Sequence, residues 1–370
     1  MDSLDPHQRP PEHIRNVYKK YQRMKLQHLD TDDVIVDLEN DLPDSQRRRV
    51  SVVAELEPGK LNTAFRKFAG SGRDHEKETE NLQKPVQVFE HQDMPGLHII
   101  PALLPPEIQL ILLSRILHRD LSAPSHLTNI HTHYTLEYPS PSPTSFFSIC
   151  PSTTQPVAHP LSPTIHRPLT IAQLLNKKMR WMTLGGQYDW TAKRYPSSSS
   201  GSRSPPPRFP PDIAGLLSAV FEQTEPEAAI VNLYSPGDTL SVHRDVAEES
   251  GRGLISVSLG CDAIFVIGVG SGDGNGETKE ASGDGSIGDN YVTNKVLALR
   301  LKSGSAVYMS GHSRFAWHGV PQVVPGTCPA YLQDWPADED RHEGEFEGWR
   351  GWMAGKRVNL NVRQMWEGRS

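Results

Sequence analysis

The 370-residue chain carries a formal charge of −6, from 38 Lys and Arg against 44 Asp and Glu, so its total charge does not indicate nucleic-acid binding. Its three cysteines, Cys150, Cys261 and Cys328, are far apart in sequence and form no CxxC pair. Their spacing argues against a disulfide framework or a structural zinc site and favours a reducing intracellular compartment. No apolar run approaches the roughly 18 residues that span a membrane, and the early Asp2 and Asp5 argue against a secretory signal.

Residues 1–84 are predicted to form an extension that precedes the main domain. Within it, apolar residues recur at helical spacing among basic ones. The apolar positions are Ile14, Val17, Tyr18 and Tyr21. We favour a helix held on the domain by this apolar stripe over a basic arm that contacts a phosphate backbone. The apolar run at 34–36 is expected to dock on the domain, and the charged residues 70–84 to form a linker.

Residues 85–370 are predicted to form the main domain. A short strand and turn at 96–101 open it, and an apolar-rich helix follows at 106–118. Three stretches rich in Pro, Ser, Thr or Gly are predicted to be flexible loops, because such sequences cannot bury enough surface to offset the entropy of ordering. These stretches are residues 139–163, 196–211 and 268–289.

From residue 228 onward, short runs rich in Val, Ile, Leu and aromatics alternate with Gly, Pro and Asp turns, which predicts strands. The predicted strands are Ala229–Tyr234, Leu240–His243, Leu254–Leu259, Ala263–Ile267, Lys295–Leu301, Ala306–Met309, Phe315–His318 and Val358–Gln364. Many short strands after a helix-containing part predict an α+β fold. We expect a double-stranded β-helix (jelly-roll) core with flanking helices and the N-terminal extension outside it.

Two imidazoles and one carboxylate stand in a pattern typical of a non-haem iron site. His243 and Asp245 flank one residue at the end of a predicted strand, so their side chains point to the same side. His318 ends another strand-like run. Such a set occupies one face of Fe(II) and leaves the opposite positions open for 2-oxoglutarate and O₂. His-x-Asp alone is a weak signal in a chain with 16 His, and His312 keeps a four-ligand zinc site as an alternative.

Two arginines on one alternating stretch predict a pocket for a dicarboxylate. Arg357 and Arg363 have an even separation, so on a continuous strand both face the same way. A guanidinium can donate two parallel hydrogen bonds to a buried carboxylate. The alternative is a pair of surface arginines, but the residues between them alternate between apolar and polar, as in a strand that lines a polar pocket.

These motifs resemble those of the AlkB dioxygenases, most closely the branch of the first mammalian AlkB homologue. The matching segments follow the family's order, and the resemblance covers nearly the whole chain outside the three predicted loops. They are Met179–Trp190, Val231–Gly237, His243–Asp245, Ser256–Gly260, Ser303–Gly311, Ser313–Arg314, His318–Val320 and Arg357–Arg363.

The resemblance implies a role for each matching residue. The implied iron ligands are His243, Asp245 and His318. The implied 2-oxoglutarate-binding residues are Asn232, Leu233, Tyr234, Arg357, Asn359 and Arg363. The family's reaction couples decarboxylation of 2-oxoglutarate, to succinate and CO₂, to hydroxylation of a substrate methyl group by O₂. A hydroxylated N-methyl group then leaves as formaldehyde.

The segment Met179–Trp190 resembles the nucleotide-recognition segment of that branch. Its aromatic residues are candidates to stack on a base taken out of its helix, and core packing is the alternative for each. They are Trp181, Tyr188 and Trp190. Nearby basic residues offer phosphate contacts, or form an ordinary solvated face. They are Lys177, Lys178, Arg180, Lys193 and Arg194. Ala247 stands where the bacterial type has a base-reading carboxylate, which argues against a plain DNA-repair role.

The resemblance implies oxidative demethylation of bases in nucleic acid, with tRNA as the expected partner and DNA as a second. The expected activities are 1-methyladenosine removal and 5-methylcytosine oxidation in tRNA, with N6-methyladenine in DNA as a further substrate. A protein hydroxylase or histone demethylase with the same iron core is the alternative enzyme, and a non-catalytic binding module is the last alternative. We expect a monomer without membrane association, in the nucleus and cytoplasm or in the mitochondrion.

Overall fold

The structure is a computed structural model that describes residues 4–5, 7–70, 81–141, 144–188, 195, 206–270, 295–337 and 344–366. Its strands are β1 (Ile35–Val36), β2 (Val50–Leu56), β3 (Val86–His91), β4 (Leu97–Ile100), β5 (Tyr134–Leu136), β6 (Pro156–Pro160), β7 (Leu169–Thr170), β8 (Trp181–Gly185), β9 (Ala228–Tyr234), β10 (Leu240–His243), β11 (Leu254–Gly260), β12 (Ala263–Val269), β13 (Lys295–Leu301), β14 (Ala306–Met309), β15 (Trp317–Val323) and β16 (Arg357–Arg363). Its α-helices are α1 (Glu12–Arg23), α2 (Leu26–Leu29), α3 (Asp44–Arg47), α4 (Pro58–Ala69), α5 (Pro106–Ser114), α6 (Ile171–Gln173), α7 (Pro211–Val220) and α8 (Ala330–Gln333).

Two large sheets organise the described chain. The eight-stranded sheet has the order β2-β3-β4-β14-β11-β16-β9-β8, and the five-stranded sheet has the order β1-β13-β12-β15-β10. All neighbouring strands in both sheets run antiparallel, except β1 beside β13. The fold is therefore a mixture of helices and antiparallel sheets, as predicted. No helix among the described residues has the length and apolar character needed to cross a membrane.

The strand β16 has one apolar and one polar face because its residues alternate strictly between the two types. The apolar residues of β16, which lie in the main core, are Val358, Leu360 and Val362. The polar face turns toward the other sheet: Asn361 Nδ2 donates to Asp245 Oδ2 at 3.3 Å, and Arg357 Nη1 donates to the carbonyl of Leu301 at 3.5 Å. The space between the two sheets therefore holds the polar side chains of β16 together with apolar residues of the five-stranded sheet, such as Phe265 and Ile267 on the same face as His318.

The N-terminal helix α1 packs on the five-stranded sheet. Its buried Ile14 and Tyr21 join Ile264 and Val266 of β12 in a separate apolar cluster. This arrangement confirms the prediction of a helix held by its apolar stripe. In addition, β1 pairs with β13, and β2 pairs with β3, so the described part of the extension contributes a strand to each sheet. The division at residue 84 stays a prediction about the organisation of the chain.

The prediction of a flexible loop at 139–163 is wrong for much of its described part. Here β6 is the central strand of a small sheet with the order β5-β6-β7, and Phe147 is 1% exposed. Three tryptophans surround the Phe147 ring at centroid distances of 5.1, 5.4 and 5.0 Å, namely Trp335, Trp349 and Trp352. The Pro/Ser-rich composition of residues 139–163 did not predict the burial of Phe147. This burial offsets the conformational entropy that the segment loses when it is ordered.

Other boundaries differ by a few residues. The predicted helix at 106–118 is α5 followed by a π-helical segment, Arg115–Asp120. The strand predicted at Phe315–His318 begins at Trp317 and continues to Val323, because a 3₁₀ turn at Gly311–Ser313 precedes it. The loop predicted at 196–211 ends where α7 begins, and the one at 268–289 opens with the last two residues of β12. Residues 196–205 and 271–289 lie outside the described residues.

Candidate metal and co-substrate site

Three predicted ligands come together at one end of the five-stranded sheet. His243 and His318 are cross-strand partners on β10 and β15, and Asp245 follows two residues after His243. One ligand atom from each residue lies within 4.8 Å of the other two. Asp245 Oδ1 is 3.9 Å from His243 Nε2, and Asp245 Oδ2 is 3.6 Å from His318 Nε2. Antiparallel pairing thus brings residues 75 positions apart in sequence to one point.

Hydrogen bonds orient both imidazoles for metal binding. His243 Nδ1 is 2.8 Å from the carbonyl of Ser241, and His318 Nδ1 is 3.0 Å from the carbonyl of Ala316. When Nδ1 carries the proton for such a bond, Nε2 is left as the electron-pair donor that a metal requires. Burial and the neighbouring His318 lower the pKa of His243, which favours the neutral imidazole.

The carboxylate of Asp245 is held in its ionised form. Burial alone raises its pKa, but Arg363 and the two histidines outweigh burial and hold the pKa of Asp245 well below its ordinary value. Two neutral imidazoles and one carboxylate suit a divalent iron that keeps open positions. His312 is exposed in a 3₁₀ turn and is not a member of this three-residue group. Among the described residues, the group therefore lacks the fourth ligand of a closed zinc site.

The polar face of β16 supplies the second half of the site. Arg357 is 1% exposed and donates from Nη2 to Ser258 Oγ at 2.8 Å, while its buried Nε has no hydrogen-bond partner in the part of the chain that the structure describes. Tyr234 is its cross-strand partner on β9, and the Tyr234 hydroxyl is also buried and unpartnered. Burial raises the pKa of Tyr234, so the hydroxyl remains a neutral donor. Unpartnered donors from two neighbouring side chains fit the distal carboxylate of 2-oxoglutarate.

A row of side chains crosses the sheet beside this pair. Trp181 on β8 pairs with Asn232 on β9, and Asn232 pairs with Asn359 on β16, so all three project from the same face. Trp181, Asn232 and Tyr234 line a cavity of about 340 Å³. Asn359 Nδ2 donates to Ser256 Oγ at 2.8 Å. The cavity therefore joins a predicted substrate residue to predicted co-substrate residues.

The other predicted site residues have different surroundings. Leu233, predicted with its neighbours to bind 2-oxoglutarate, alternates to the opposite face, and its side chain packs in the main core. Leu233 also lines the cavity beside Asn232 and Tyr234, and its role in binding 2-oxoglutarate stays a prediction. Tyr188 packs edge-on against Tyr195, with ring centroids 5.2 Å apart, in a small cluster with Met365. Trp190 lies outside the described residues.

Residues that the sequence did not single out complete the site. Tyr195 is 7% exposed, its hydroxyl has no partner within the described ranges, and the guanidinium of Arg363 lies 5.9 Å from its ring centroid. Glu248, three residues after the ligand Asp245, accepts from Arg363 Nη1 at 2.8 Å. Arg314 belongs to a matching segment but received no role, although it donates to the carbonyl of Asp245 at 2.9 Å. No sequence pattern distinguishes Glu248 from the other acidic residues, and its contacts with Arg314 and Arg363 alone identify it.

Comparisons with known proteins agree with this geometry. Residues 144–363 match the model of the 2OG-Fe(II) oxygenase superfamily. The N6-methyladenosine RNA demethylase ALKB1 of Pyricularia oryzae is 43% identical over 379 residues, which cover 99% of each chain. The N6-methyladenosine RNA demethylase ALKBH of Cryphonectria parasitica is 48% identical over 240 residues, covering 64% of this chain and 99% of the relative. The tRNA demethylase abh1 of Schizosaccharomyces pombe is 36% identical over 286 residues, covering 75% and 82%.

The chain therefore belongs to the 2OG-Fe(II) oxygenase superfamily and, within it, to the AlkB family. Membership identifies its cofactor as Fe(II), with 2-oxoglutarate and O₂ as co-substrates. The side chains of the described residues fit Fe(II), 2-oxoglutarate and O₂. Two histidines and one carboxylate can hold the metal, and buried donors without partners can bind the dicarboxylate. One side of the metal group has no ligand among the described residues, which leaves positions for 2-oxoglutarate and O₂.

Proposed function

We propose that this enzyme oxidatively removes methyl groups from nitrogen atoms of adenine in RNA, with tRNA as the first substrate to test. The observation that carries the proposal is the cavity that joins Trp181 to the co-substrate residues Asn232 and Tyr234. Two relatives are named as N6-methyladenosine RNA demethylases and a third as a tRNA demethylase. Both N6-methyladenosine and 1-methyladenosine are therefore substrates to compare, with 5-methylcytosine and N6-methyladenine in DNA as further ones.

We also infer that the two large sheets are the two halves of a double-stranded β-helix. The polar side of β16 turns toward the five-stranded sheet, as expected when two sheets of a jelly roll face each other across a site. In this arrangement the metal ligands come from the smaller sheet, and Arg357 and Arg363 come from the larger one. The co-substrate would therefore bridge the two sheets.

The side chains of this site have separate tasks in the proposed reaction. His243, Asp245 and His318 hold the iron. Arg357 and Tyr234 bind the distal carboxylate of 2-oxoglutarate and orient it by directed hydrogen bonds. When bound, iron and 2-oxoglutarate would allow O₂ to oxidise a C–H bond of the substrate, with release of succinate and CO₂. A methyl group on nitrogen becomes hydroxymethyl, and this group leaves as formaldehyde.

The nucleic acid is proposed to enter on the side of β8. Trp181 offers an aromatic face in the cavity, where a base extruded from its stack can lie. Lys177 and Lys178, in the segment just before β8, are exposed and suit contacts with phosphates. Arg180 forms an ion pair with Asp238, so part of its charge is already neutralised. The local basic residues support binding of a polyanion despite the acidic total charge of the chain.

The proposal is tested by incubating the purified protein with Fe(II), ascorbate, 2-oxoglutarate and total tRNA. We expect succinate release that depends on RNA and a matching loss of N6-methyladenosine or 1-methyladenosine by nucleoside mass spectrometry. Asp245→Ala, which removes a proposed metal ligand, serves as the control and should give neither signal. Succinate release that ignores RNA and DNA but responds to histones or another protein would contradict the proposal and leave the iron centre intact.

A further inference from the structure

We propose that Glu248 is a positioning residue of this site: its carboxylate fixes Arg363 and Arg314 so that Asp245 stays free to hold the metal. This inference rests on the proposed iron and 2-oxoglutarate site. The side chain of Glu248 is fully buried, at 0% exposure, and both of its oxygens are used. Oε1 accepts from Arg363 Nη1 at 2.8 Å, and Oε2 accepts from Arg314 Nη2 at 3.2 Å.

Arg314 holds the backbone of the segment that contains Asp245 through hydrogen bonds. It donates to the backbone carbonyls of Asp245 at 2.9 Å, Arg252 at 2.6 Å and Ser250 at 3.4 Å. Two backbone N–H groups of this segment, those of Glu249 and Ser250, donate to the carbonyl of Met365 at 3.0 and 3.2 Å. Apart from them, the segment 245–252 has no helix or strand that would fix it through its own backbone hydrogen bonds. A guanidinium with several donors in a rigid fork can replace such bonds, provided that its charge is balanced in the interior. Glu248 supplies that charge from within the same segment.

Arg363 is shared unequally between two carboxylates. Its Nη1 is 2.8 Å from Glu248 Oε1 and 3.5 Å from Asp245 Oδ1, so the shorter bond goes to Glu248. Its Nε and Nη2 are buried and have no hydrogen-bond partners among the described residues. If the Glu248 charge is removed, Asp245 becomes the remaining carboxylate for this arginine, and a two-pronged Arg–carboxylate pair is the favoured geometry. Such a pair would occupy the oxygens that the metal needs.

The charges in this group support the same conclusion. Arg314 and Arg363 are each 2% exposed, and Glu248 and Asp245 balance them one for one. Unbalanced charge in a protein interior is costly, so the loss of one carboxylate makes both cations depend on the other. Asp245 would then be stabilised as an ion-pair partner and weakened as a metal ligand.

The test is Mn(II) binding to the metal-free full-length protein, measured by the electron paramagnetic resonance signal of free Mn(II). We expect Glu248→Gln to weaken Mn(II) binding by about 10- to 100-fold, the range typical of residues that orient metal ligands. The neighbouring Glu249 is exposed, and Glu249→Gln is the matched control that should bind like the wild type. Glu248→Asp keeps the charge and should lie between the wild type and Glu248→Gln; it also serves if the Gln variant does not fold.

Thermal unfolding of the same metal-free variants separates positioning from a purely structural role. A positioning role predicts that Glu248→Gln loses some metal-free stability, because one arginine charge is left unbalanced, and that the folded variant also loses affinity for Mn(II), because Asp245 pairs with the arginines. Wild-type affinity in Glu248→Gln, or a loss of stability with unchanged affinity in Glu248→Asp, would overturn the inference. If the wild type itself does not bind Mn(II), the proposed iron site fails instead, so the two failures are distinguishable.

Discussion

Replacing Arg357 with methionine should weaken 2-oxoglutarate binding without weakening the fold. Arg357 is 1% exposed, and no carboxylate of the described residues lies within ion-pair distance of it. Its short hydrogen bond goes to Ser258 Oγ at 2.8 Å, whereas its contacts with the carbonyls of Cys261 and Leu301 are 3.4 and 3.5 Å long. Burial lowers the pKa of Arg357, the direction expected of a cation with too few partners.

The magnitude follows from these contacts. A hydrogen bond to a charged group contributes about 1.5–3 kcal/mol, which corresponds to a roughly 10- to 150-fold higher Kd for 2-oxoglutarate in Arg357→Met. At about 100 times the wild-type Kd, bound 2-oxoglutarate stabilises the wild type by about 2.7 kcal/mol. A variant with about 100-fold weaker binding gains only ~0.4 kcal/mol at the same concentration. The unliganded variant should be as stable as the wild type or more stable, because a buried unpaired charge has been removed.

Thermal unfolding in the presence of Mn(II), with and without 2-oxoglutarate, measures both effects. Arg350→Met is the control, since Arg350 is an exposed arginine whose ion pairs with Glu347 and Asp334 lie on the surface. It should keep the full stabilisation by 2-oxoglutarate. A wild-type response to 2-oxoglutarate in Arg357→Met would refute the assignment of this arginine to the distal carboxylate. A large loss of stability in the unliganded variant would refute the reasoning about its unpaired charge.

Three further substitutions test other parts of the molecule. Asp245→Ala should abolish turnover and the rise in melting temperature caused by Mn(II), while the metal-free protein stays folded; full turnover with Fe(II) would contradict the ligand assignment. Trp181→Ala should reduce kcat/KM for tRNA by about 10-fold, within the ~1–3 kcal/mol of a base–aromatic stack, with RNA-independent succinate release unchanged. Ile14→Asp buries a carboxylate in the cluster of α1, and urea unfolding should show a loss of about 3 kcal/mol. The exposed Asn16→Asp on the same helix is its control and should lose little.

The metal group and the arginine pair were predictable because strand periodicity carries them. His243 and Asp245 stand two residues apart at the end of a strand, and Arg357 and Arg363 stand six apart on another, so a period of two places each pair on one side. The pairing of β10 with β15 that joins His318 to them is not local information. The family resemblance supplied it, since it fixed the order of the motifs along the chain.

The remaining features depend on contacts between distant segments. Nothing around Trp181 marks a strand, and β8 exists because it pairs in register with β9, some 50 residues later. Phe147 lies in a Pro/Ser-rich stretch, and its burial depends on tryptophans about 200 residues away. Glu248 is one of 44 acidic residues in the chain, and only the two arginines that meet its carboxylate distinguish it. The composition of a segment predicts only local structure, whereas the positions of Trp181, Phe147 and Glu248 depend on contacts with residues far away in the sequence or in other elements.

The two arginines of β16 show how one strand prepares a site for two different ligands. Arg363 already has carboxylate partners in Asp245 and Glu248, so the metal half of the site is balanced before anything binds. Arg357 has hydrogen bonds but no ion-pair partner among the described residues, and Tyr234 beside it has a hydroxyl without a partner. The co-substrate half therefore lacks one negative charge and one acceptor. A distal carboxylate supplies both, which is why a dicarboxylate suits this pocket better than a simple keto acid.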